Sequence, residues 1–117
     1  MQSFTDLKVW EKAHQLVILI YKLTKDFPPE ERFSLASQIK RAAVSIASNI
    51  AEGFQRSSSK VSRNFYDIAD GSIEEVKYQL LLSRDLGYIK ESDYLESLDK
   101  AEEVSKMLRA WIRSQRP

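Results

Sequence analysis

Apolar residues recur at intervals of three and four along most of this chain, which is the spacing of one face of an α-helix. Short polar or proline-containing connectors separate these stretches from one another. Because short connectors join antiparallel neighbours, the pattern predicts an all-α, up-down-up-down four-helix bundle that forms a single domain over residues 1–117. The predicted helices span about residues 6–26, 34–55, 59–86 and 92–114.

The second predicted helix has apolar or small residues on most of its surface. Beside its apolar side and a polar stripe, a third side containing Val44, Ser48 and Ala51 carries a single charge, at Lys40. A solvated helix face usually carries several charges, so this helix is expected to be covered on more than one side. A central position in a monomer core is one interpretation, and self-association is the one we favour. The expected structural or oligomer contacts are Val44, Ser45, Ser48, Asn49, Ala51, Glu52 and Gly53.

The polar stripe of this helix contains Ser45, Asn49 and Glu52. One interpretation is structural: these side chains are half-buried at a helix contact and hydrogen-bonded to a neighbour, each satisfied bond contributing about 1 kcal/mol. The other interpretation is a ligand site, and we favour the structural one.

The three glycines have different predicted roles. Gly53 lies near the end of the second helix, where a left-handed residue is often needed. Gly71 lies inside the third helix at a cost of about 1 kcal/mol relative to alanine, which indicates the close approach of a neighbour. Gly87 is predicted to stop the third helix, with Tyr88 and Ile89 folding back onto the core.

Composition argues against catalysis. The chain has no cysteine and one histidine, His14, and no nucleophile–base pair or metal-ligand set is recognisable, so we predict a protein without enzymatic activity, cofactor or metal. No apolar run approaches the roughly 20 residues that cross a bilayer, and the amino-terminal residues do not have the pattern of a secretion signal. A cytoplasmic protein without a membrane partner is therefore expected.

The net charge of +1 conceals a segregated distribution. Residues 38–63 carry five cations against the single acid Glu52, and residues 104–117 carry four cations and no acid. Residues 64–103 carry eleven acids against four cations. Such segregation can give a folded protein one basic surface although its total charge is nearly neutral.

Arg56, Lys60 and Arg63 flank three consecutive serines at the start of the third helix, and Ser58 or Ser59 is expected to cap that helix. Free backbone N–H groups, hydroxyls and cations together suit a phosphate, and the nearby aromatics Phe54, Phe65 and Tyr66 could pack beneath the cations or stack on bases. An ordinary solvated turn, whose charges balance the acidic half of the third helix, is the alternative. The candidate nucleic-acid contacts are Lys40, Arg41, Arg56, Lys60 and Arg63.

Several segments together resemble one protein family over residues 4–112. The most specific of them is the core Ser45-Ile-Ala-Ser-Asn-Ile-Ala-Glu-Gly53. The chain resembles the four-helix-bundle proteins encoded within intervening sequences of 23S ribosomal RNA genes, and it is similar to the accessory variability protein of diversity-generating retroelements. The other matching segments are Phe4–Ala13, Tyr21, Phe27–Pro28, Glu31, Gln38–Ser45 and Leu86–Ile89.

The resemblance implies a barrel-like homopentamer without enzymatic activity. It also implies a basic surface that binds RNA or DNA, of ribosomal or retroelement origin, and, in a retroelement, a reverse transcriptase as protein partner. A protein-interaction adaptor without a nucleic-acid role, docking its partner on the acidic surface of the third and fourth helices, is the alternative hypothesis.

Overall fold

The computed structural model describes residues 2–115, and within that range the chain is all-α and contains no strand. The predicted helix limits agree with the observed ones to about two residues, which is the usual uncertainty of a helix end. The α-helices are Lys8–Thr24 (α1), Leu35–Gln55 (α2), Ser59–Asp85 (α3) and Glu91–Ser114 (α4). Short 3-10 helices at Phe4–Asp6 and Pro29–Glu31 precede α1 and α2.

The four helices form an up-down-up-down bundle, as the short connectors predict. Each helix packs against two others, α1 and α3 both contacting α2 and α4. In the part of the chain that the structure describes, no Cα atoms of the diagonal pairs, α1 with α3 or α2 with α4, approach within 8 Å. The contact between α2 and α3 is the most extensive one, so these two helices form a tight hairpin inside the bundle.

The core consists of the apolar stripes that periodicity predicts. All four helices contribute side chains with no more than 1% of their surface exposed: Leu16, Ile20, Ile39, Ile46, Ile50, Ile73, Val76, Leu80, Val104 and Leu108. Serines occupy positions where helices approach closely, and two of them satisfy their hydroxyls locally. Ser83 Oγ donates to Gln79 O at 2.7 Å, and Ser97 Oγ donates to Asp93 O at 2.8 Å. Small buried residues of this kind let backbones approach without leaving a polar atom unpaired.

The connection from α3 to α4 follows the prediction for Gly87. Its φ of 79° is left-handed, and the N–H groups of Gly87 and Tyr88 donate to Arg84 O and Ser83 O, both at 2.9 Å. This pair of bonds is a Schellman motif, which satisfies carbonyls at the helix end. The chain then folds back, burying Ile89 to 8% exposure, and this part of the prediction is confirmed.

The prediction of a left-handed conformation at Gly53 is wrong, and the close approach predicted at Gly71 is not made by the described residues of this chain. Gly53 lies inside α2 and is not among the positive-φ residues of the described range. A Cβ at Gly53 would lie 2.8 Å from Cδ1 of Tyr66 and closer still to Cε1, so this position needs glycine for packing rather than for backbone conformation. A Cβ at Gly71 would meet no side chain within 4 Å, so none of residues 2–115 makes the expected close approach.

Candidate nucleic-acid interface and self-association surface

The antiparallel topology brings the two basic segments to the same end of the bundle. The end of α2, the start of α3 and the end of α4 share this end. The antiparallel helices α3 and α4 contact each other, and Arg109 of α4 lies 3.8 Å from Asp70 of α3, so the last turns of α4 run beside the first turns of α3. We call this region the basic end, and the cations that these three helix ends contribute to it are Arg56, Lys60, Arg63, Lys106, Arg109 and Arg113.

At the corner between α2 and α3, two cations are held by carboxylates on their own helix. Arg56 forms an ion pair with Glu52 one turn earlier, and its guanidinium lies 4.8 Å from the centroid of the Phe65 ring. Arg63 Nε donates to Asp67 Oδ1 at 2.9 Å. Both guanidinium side chains remain about half exposed, at 43% and 48%. Exposed pairs of this kind contribute only about 0–1 kcal/mol, so a phosphate can compete with either carboxylate.

Lys60 differs from these arginines because it has no ion-pair partner within the described range, and its side chain is exposed. It follows the N-terminal cap of α3, where Ser58 Oγ accepts a hydrogen bond from Val61 N at 3.1 Å. The cap is the predicted one. The neighbouring Ser57 and Ser59 side chains are also exposed. Lys60 and these hydroxyls therefore stand where the positive end of the helix dipole faces solvent.

The acidic residues of α3 form most of their ion pairs with cations outside the corner between α2 and α3. Lys77 Nζ lies 2.7 Å from Glu102 and 3.0 Å from Glu74, and hydrogen bonding to Glu102 raises the lysine pKa while the pKa of Glu102 is lowered. Arg109 lies 3.8 Å from Asp70 and from Glu74. Of the corner cations only Arg63 pairs with an α3 acid, so Arg56 and Lys60 do not serve to balance this helix.

Lys40 and Arg41 do not join the basic end. They precede Arg56 by about 15 residues of helix, which is roughly 22 Å at 1.5 Å per residue. They also lie on different sides of α2: Lys40 Nζ stands 5.3 Å from the Tyr21 ring of α1, whereas Arg41 lines a cavity of about 550 Å³ with Glu75 of α3. Within one chain the five predicted cations therefore form no single patch, which corrects that grouping.

Val44, Ser48 and Ala51 do share one surface, as predicted from the helix pattern. With residues of α1 and the first 3-10 helix they line an open, mostly apolar depression of about 340 Å³, which we call the α1–α2 groove. One side of the groove is an aromatic stack, because the rings of Trp10 and His14 are 5.0 Å apart and nearly parallel. The remaining lining residues are Phe4, Val17 and Ala47.

Ser45, Asn49 and Gly53 instead lie in contacts made within the chain. Ser45 Oγ is 2.8 Å from Ser72 Oγ across the α2–α3 contact, and Asn49 Nδ2 donates to Ser45 O at 2.8 Å. Gly53 O accepts a hydrogen bond of 2.7 Å from Ser62 Oγ. The structural interpretation thus holds for Ser45, while Asn49 bonds to its own helix.

Tyr66 is the residue whose role sequence reasoning missed. It is only 2% exposed and packs against Gly53, so it is not available to stack on bases. Burial raises the pKa of its hydroxyl. The signal available in the sequence was its position one turn after Ser62, on the buried side of α3. Phe65, one residue earlier, is the aromatic that packs beneath a cation, Arg56.

Other kinds of site find no support in the part of the chain described. Residues 2–115 contain no group of three or more histidine or acidic side chains placed to hold a metal ion. None of the helices in this range combines the length and apolar character that a bilayer crossing requires.

The architecture defines a class of small helical bundles with one basic end and an apolar lateral groove. A protein-family model described as 23S rRNA-intervening sequence protein matches residues 5–110, and the chain belongs to that family. The resemblance inferred from the sequence is therefore confirmed.

One solved structure is similar along nearly its whole length. It is the crystal structure of a protein with unknown function from the S23 ribosomal protein family of Bacteroides thetaiotaomicron VPI-5482. It superposes with a TM-score of 0.83 and is 28% identical in sequence, over 89% of this chain and 97% of that one. No curated protein matches the chain.

Proposed function

We propose that this chain is a non-enzymatic, cytoplasmic protein that assembles into a homopentamer and binds RNA or DNA through its basic end. The observation that carries the proposal is the convergence of two separated basic segments, 56–63 and 106–113, at one end of the bundle. Membership of the 23S rRNA-intervening sequence family supports a nucleic-acid ligand. In a retroelement, a reverse transcriptase would be the protein partner.

The binding mode follows from the exposed groups of the basic end. Lys60 and the half-exposed Arg56 and Arg63 supply charge for phosphates, which carry no sequence information. Binding should therefore weaken steeply with salt, because each phosphate contact releases counterions.

The test is a triple variant, Arg56→Ala with Lys60→Ala and Arg63→Ala, titrated against fluorescent 23S rRNA fragments at several salt concentrations. Affinity should fall, and the slope of log K against log salt should become shallower by about 0.7 per lost contact on a single strand. The matched control removes three exposed cations from the opposite end: Lys22, Lys25 and Lys90. Equal losses in both variants would refute this placement, and unchanged affinity in the first would remove the basic end as the site.

Assembly is proposed from the α1–α2 groove, which exposes Val44 to 39% although it is a large apolar side chain. Val44→Glu or Ala51→Glu should reduce the native particle from five times 13.5 kDa to the mass of one chain, with the helical circular dichroism signal retained. Light scattering measures the mass. A variant that keeps the wild-type mass would show that the groove is not the contact.

A second candidate function is a protein-interaction adaptor. Glu96 and Asp99 favour it, because both are exposed on α4 and neither forms an ion pair within the described range. An acidic surface of this kind suits a basic protein partner. Binding of a basic protein that Glu96→Gln with Asp99→Asn weakens, together with no affinity for RNA at low salt, would favour the adaptor over the nucleic-acid protein.

A further inference from the structure

The outer side of α3 carries exposed apolar residues that the bundle leaves uncovered. Ile68 is 52% exposed and Tyr78 is 61% exposed, and both are large side chains. With Gly71 and Glu75 they follow the three–four–three spacing of one helix face. We call these four residues the α3 outer face. Its position differs from that of the α1–α2 groove, because α2 lies between them.

Gly71 makes this face unusual. Glycine in a helix interior is unfavourable relative to alanine, and at Gly53 the structure shows the reason for accepting it. At Gly71 no side chain of the described range comes within 4 Å of the would-be Cβ. The small residue therefore serves no packing purpose among the described residues, although it lies between two uncovered apolar side chains.

Contacts between α2 and α3 fix which parts of the two surfaces lie at the same level along the bundle. Ser45 bonds to Ser72, and Gly53 bonds to Ser62, so the stretch from Ile68 to Gly71 runs beside the middle of α2. The middle of α2 is also where Ser48 contributes to the α1–α2 groove on the other side. Apolar surface thus stands at the same level on both flanks of the bundle.

About one helical turn further along the bundle, the two flanks carry opposite charges. Glu75 of the α3 outer face lines a cavity together with Gln38 and Arg41 of α2. Lys40 occupies the same level of α2 but points to the other flank, where it lies over Tyr21. When two copies stand side by side with parallel bundle axes, the lysine of one flank therefore faces the carboxylate of the other.

We infer that the α3 outer face of one copy docks in the α1–α2 groove of a second copy, with Glu75 meeting Lys40. The inference rests on the proposed self-association and names its two surfaces. Because the two surfaces are different, the contact is head-to-tail, and repetition closes a ring when the rotation per copy permits. Lys40 then belongs to the assembly contact and not to the nucleic-acid site.

Two variants that each disable one surface test the inference. Ala51→Glu blocks the groove and Ile68→Glu blocks the α3 outer face, and each alone should remain at the mass of one chain, 13.5 kDa, by light scattering. Mixed in equal amounts they should form a particle of twice that mass, because one intact groove meets one intact face. Leu95→Glu is the matched control: Leu95 is 54% exposed on α4, outside both surfaces, and this variant should assemble like the wild type.

The outcomes separate the inference from the proposal on which it rests. Normal assembly of Ile68→Glu beside failure of Ala51→Glu would show that the groove docks on a surface other than the α3 outer face, which overturns the inference and leaves self-association intact. A wild-type chain that stays at 13.5 kDa would overturn both.

Exchanging the charges of Lys40 and Glu75 tests the same contact without placing a carboxylate in an apolar surface. Lys40→Glu and Glu75→Lys should each weaken assembly, and the double variant should recover most of the wild-type mass distribution. Weakening by both single changes without recovery in the double variant would contradict the pairing.

Discussion

Gly53 and Gly71 lie in the same α2–α3 hairpin, and their surroundings are opposite. The first is buried beneath the Tyr66 ring, and its carbonyl accepts a hydrogen bond from Ser62. The second is exposed, and no side chain of the described range approaches it. The corner of the hairpin is thus closed by the chain's own side chains, whereas its middle presents a surface. A small residue in a helix serves the fold in one case and has no role within the fold in the other.

The largest expected effect is at the closed corner. Gly53→Ala places a methyl group against the Tyr66 ring, and overpacking of this kind costs about 1–3 kcal/mol. Urea denaturation of an assembly-deficient background such as Ala51→Glu measures the change in the free energy of unfolding. The cost should shrink when Tyr66→Leu removes the ring edge, since residues in contact are not additive. Equal costs in both backgrounds would contradict the packing argument.

Gly71→Ala should act in the opposite direction on the isolated chain. The new methyl group meets no neighbour, so helix propensity raises the free energy of unfolding by about 0.5–1 kcal/mol in the same Ala51→Glu background. In the proposed assembly of the wild type the same change should lower the assembled fraction, because the docked copy would approach this position. If Gly71→Ala were both more stable and better assembled than the wild type, the close-approach interpretation of Gly71 would be contradicted.

The smallest expected effect concerns a hydrogen bond between two titratable side chains. At the end opposite to the Gly53 corner, Tyr88 OH donates to Glu31 Oε2 at 2.7 Å, and this bond lowers the pKa of Glu31 from 4.5 and raises that of Tyr88 from 10.0. A lowered carboxyl pKa stabilises the folded chain above pH 4.5 and loses that contribution as the pH falls further. A raised tyrosine pKa stabilises the chain below pH 10 and loses its contribution above it.

Urea midpoints of wild type and Tyr88→Phe should therefore differ by a constant amount near neutral pH and converge below pH 4.5 and above pH 10. Tyr21→Phe is the control, because the hydroxyl of this exposed tyrosine forms no hydrogen bond in the described range. A difference between wild type and Tyr88→Phe that does not change with pH would contradict the coupling to the Glu31 carboxylate. No difference at any pH would show that the ring, which both proteins keep and which lies 5.4 Å from the Phe27 ring, and not the hydroxyl, stabilises this end. In contrast to the Gly53 corner, this end would then be closed by packing alone.

Periodicity is sufficient to predict the helices and the core of this fold, because burial of an apolar stripe depends mainly on local spacing. The Tyr66–Gly53 contact could not be predicted in this way, since it depends on the distance between two helices. The same limit applies at Gly71, where the sequence indicates that a small residue is needed but not whether the neighbour that approaches it belongs to the same chain.

The candidate site was only partly predictable for a related reason. Arg56, Lys60 and Arg63 lie within eight residues, so their proximity survives folding. Lys40 and Arg41 are adjacent in sequence, yet neighbouring helix positions point about 100° apart and the two side chains reach different flanks of α2. The contribution of α4 to the basic end could not be predicted from local spacing. It depends on the topology, because the end of α4 reaches the start of α3 only in the antiparallel arrangement of all four helices.

The position of the basic end has a consequence for multivalency. In the ring that we propose, side-by-side docking with parallel bundle axes would place the basic end of every copy on the same rim. A strand long enough to reach the basic ends of two neighbouring copies would lose the entropy of encounter once, and its second contact would form at a high effective concentration. Avidity of this kind would make the proposed affinity for nucleic acid depend on strand length, so a chain whose net charge is only +1 would retain long polynucleotides while releasing short ones.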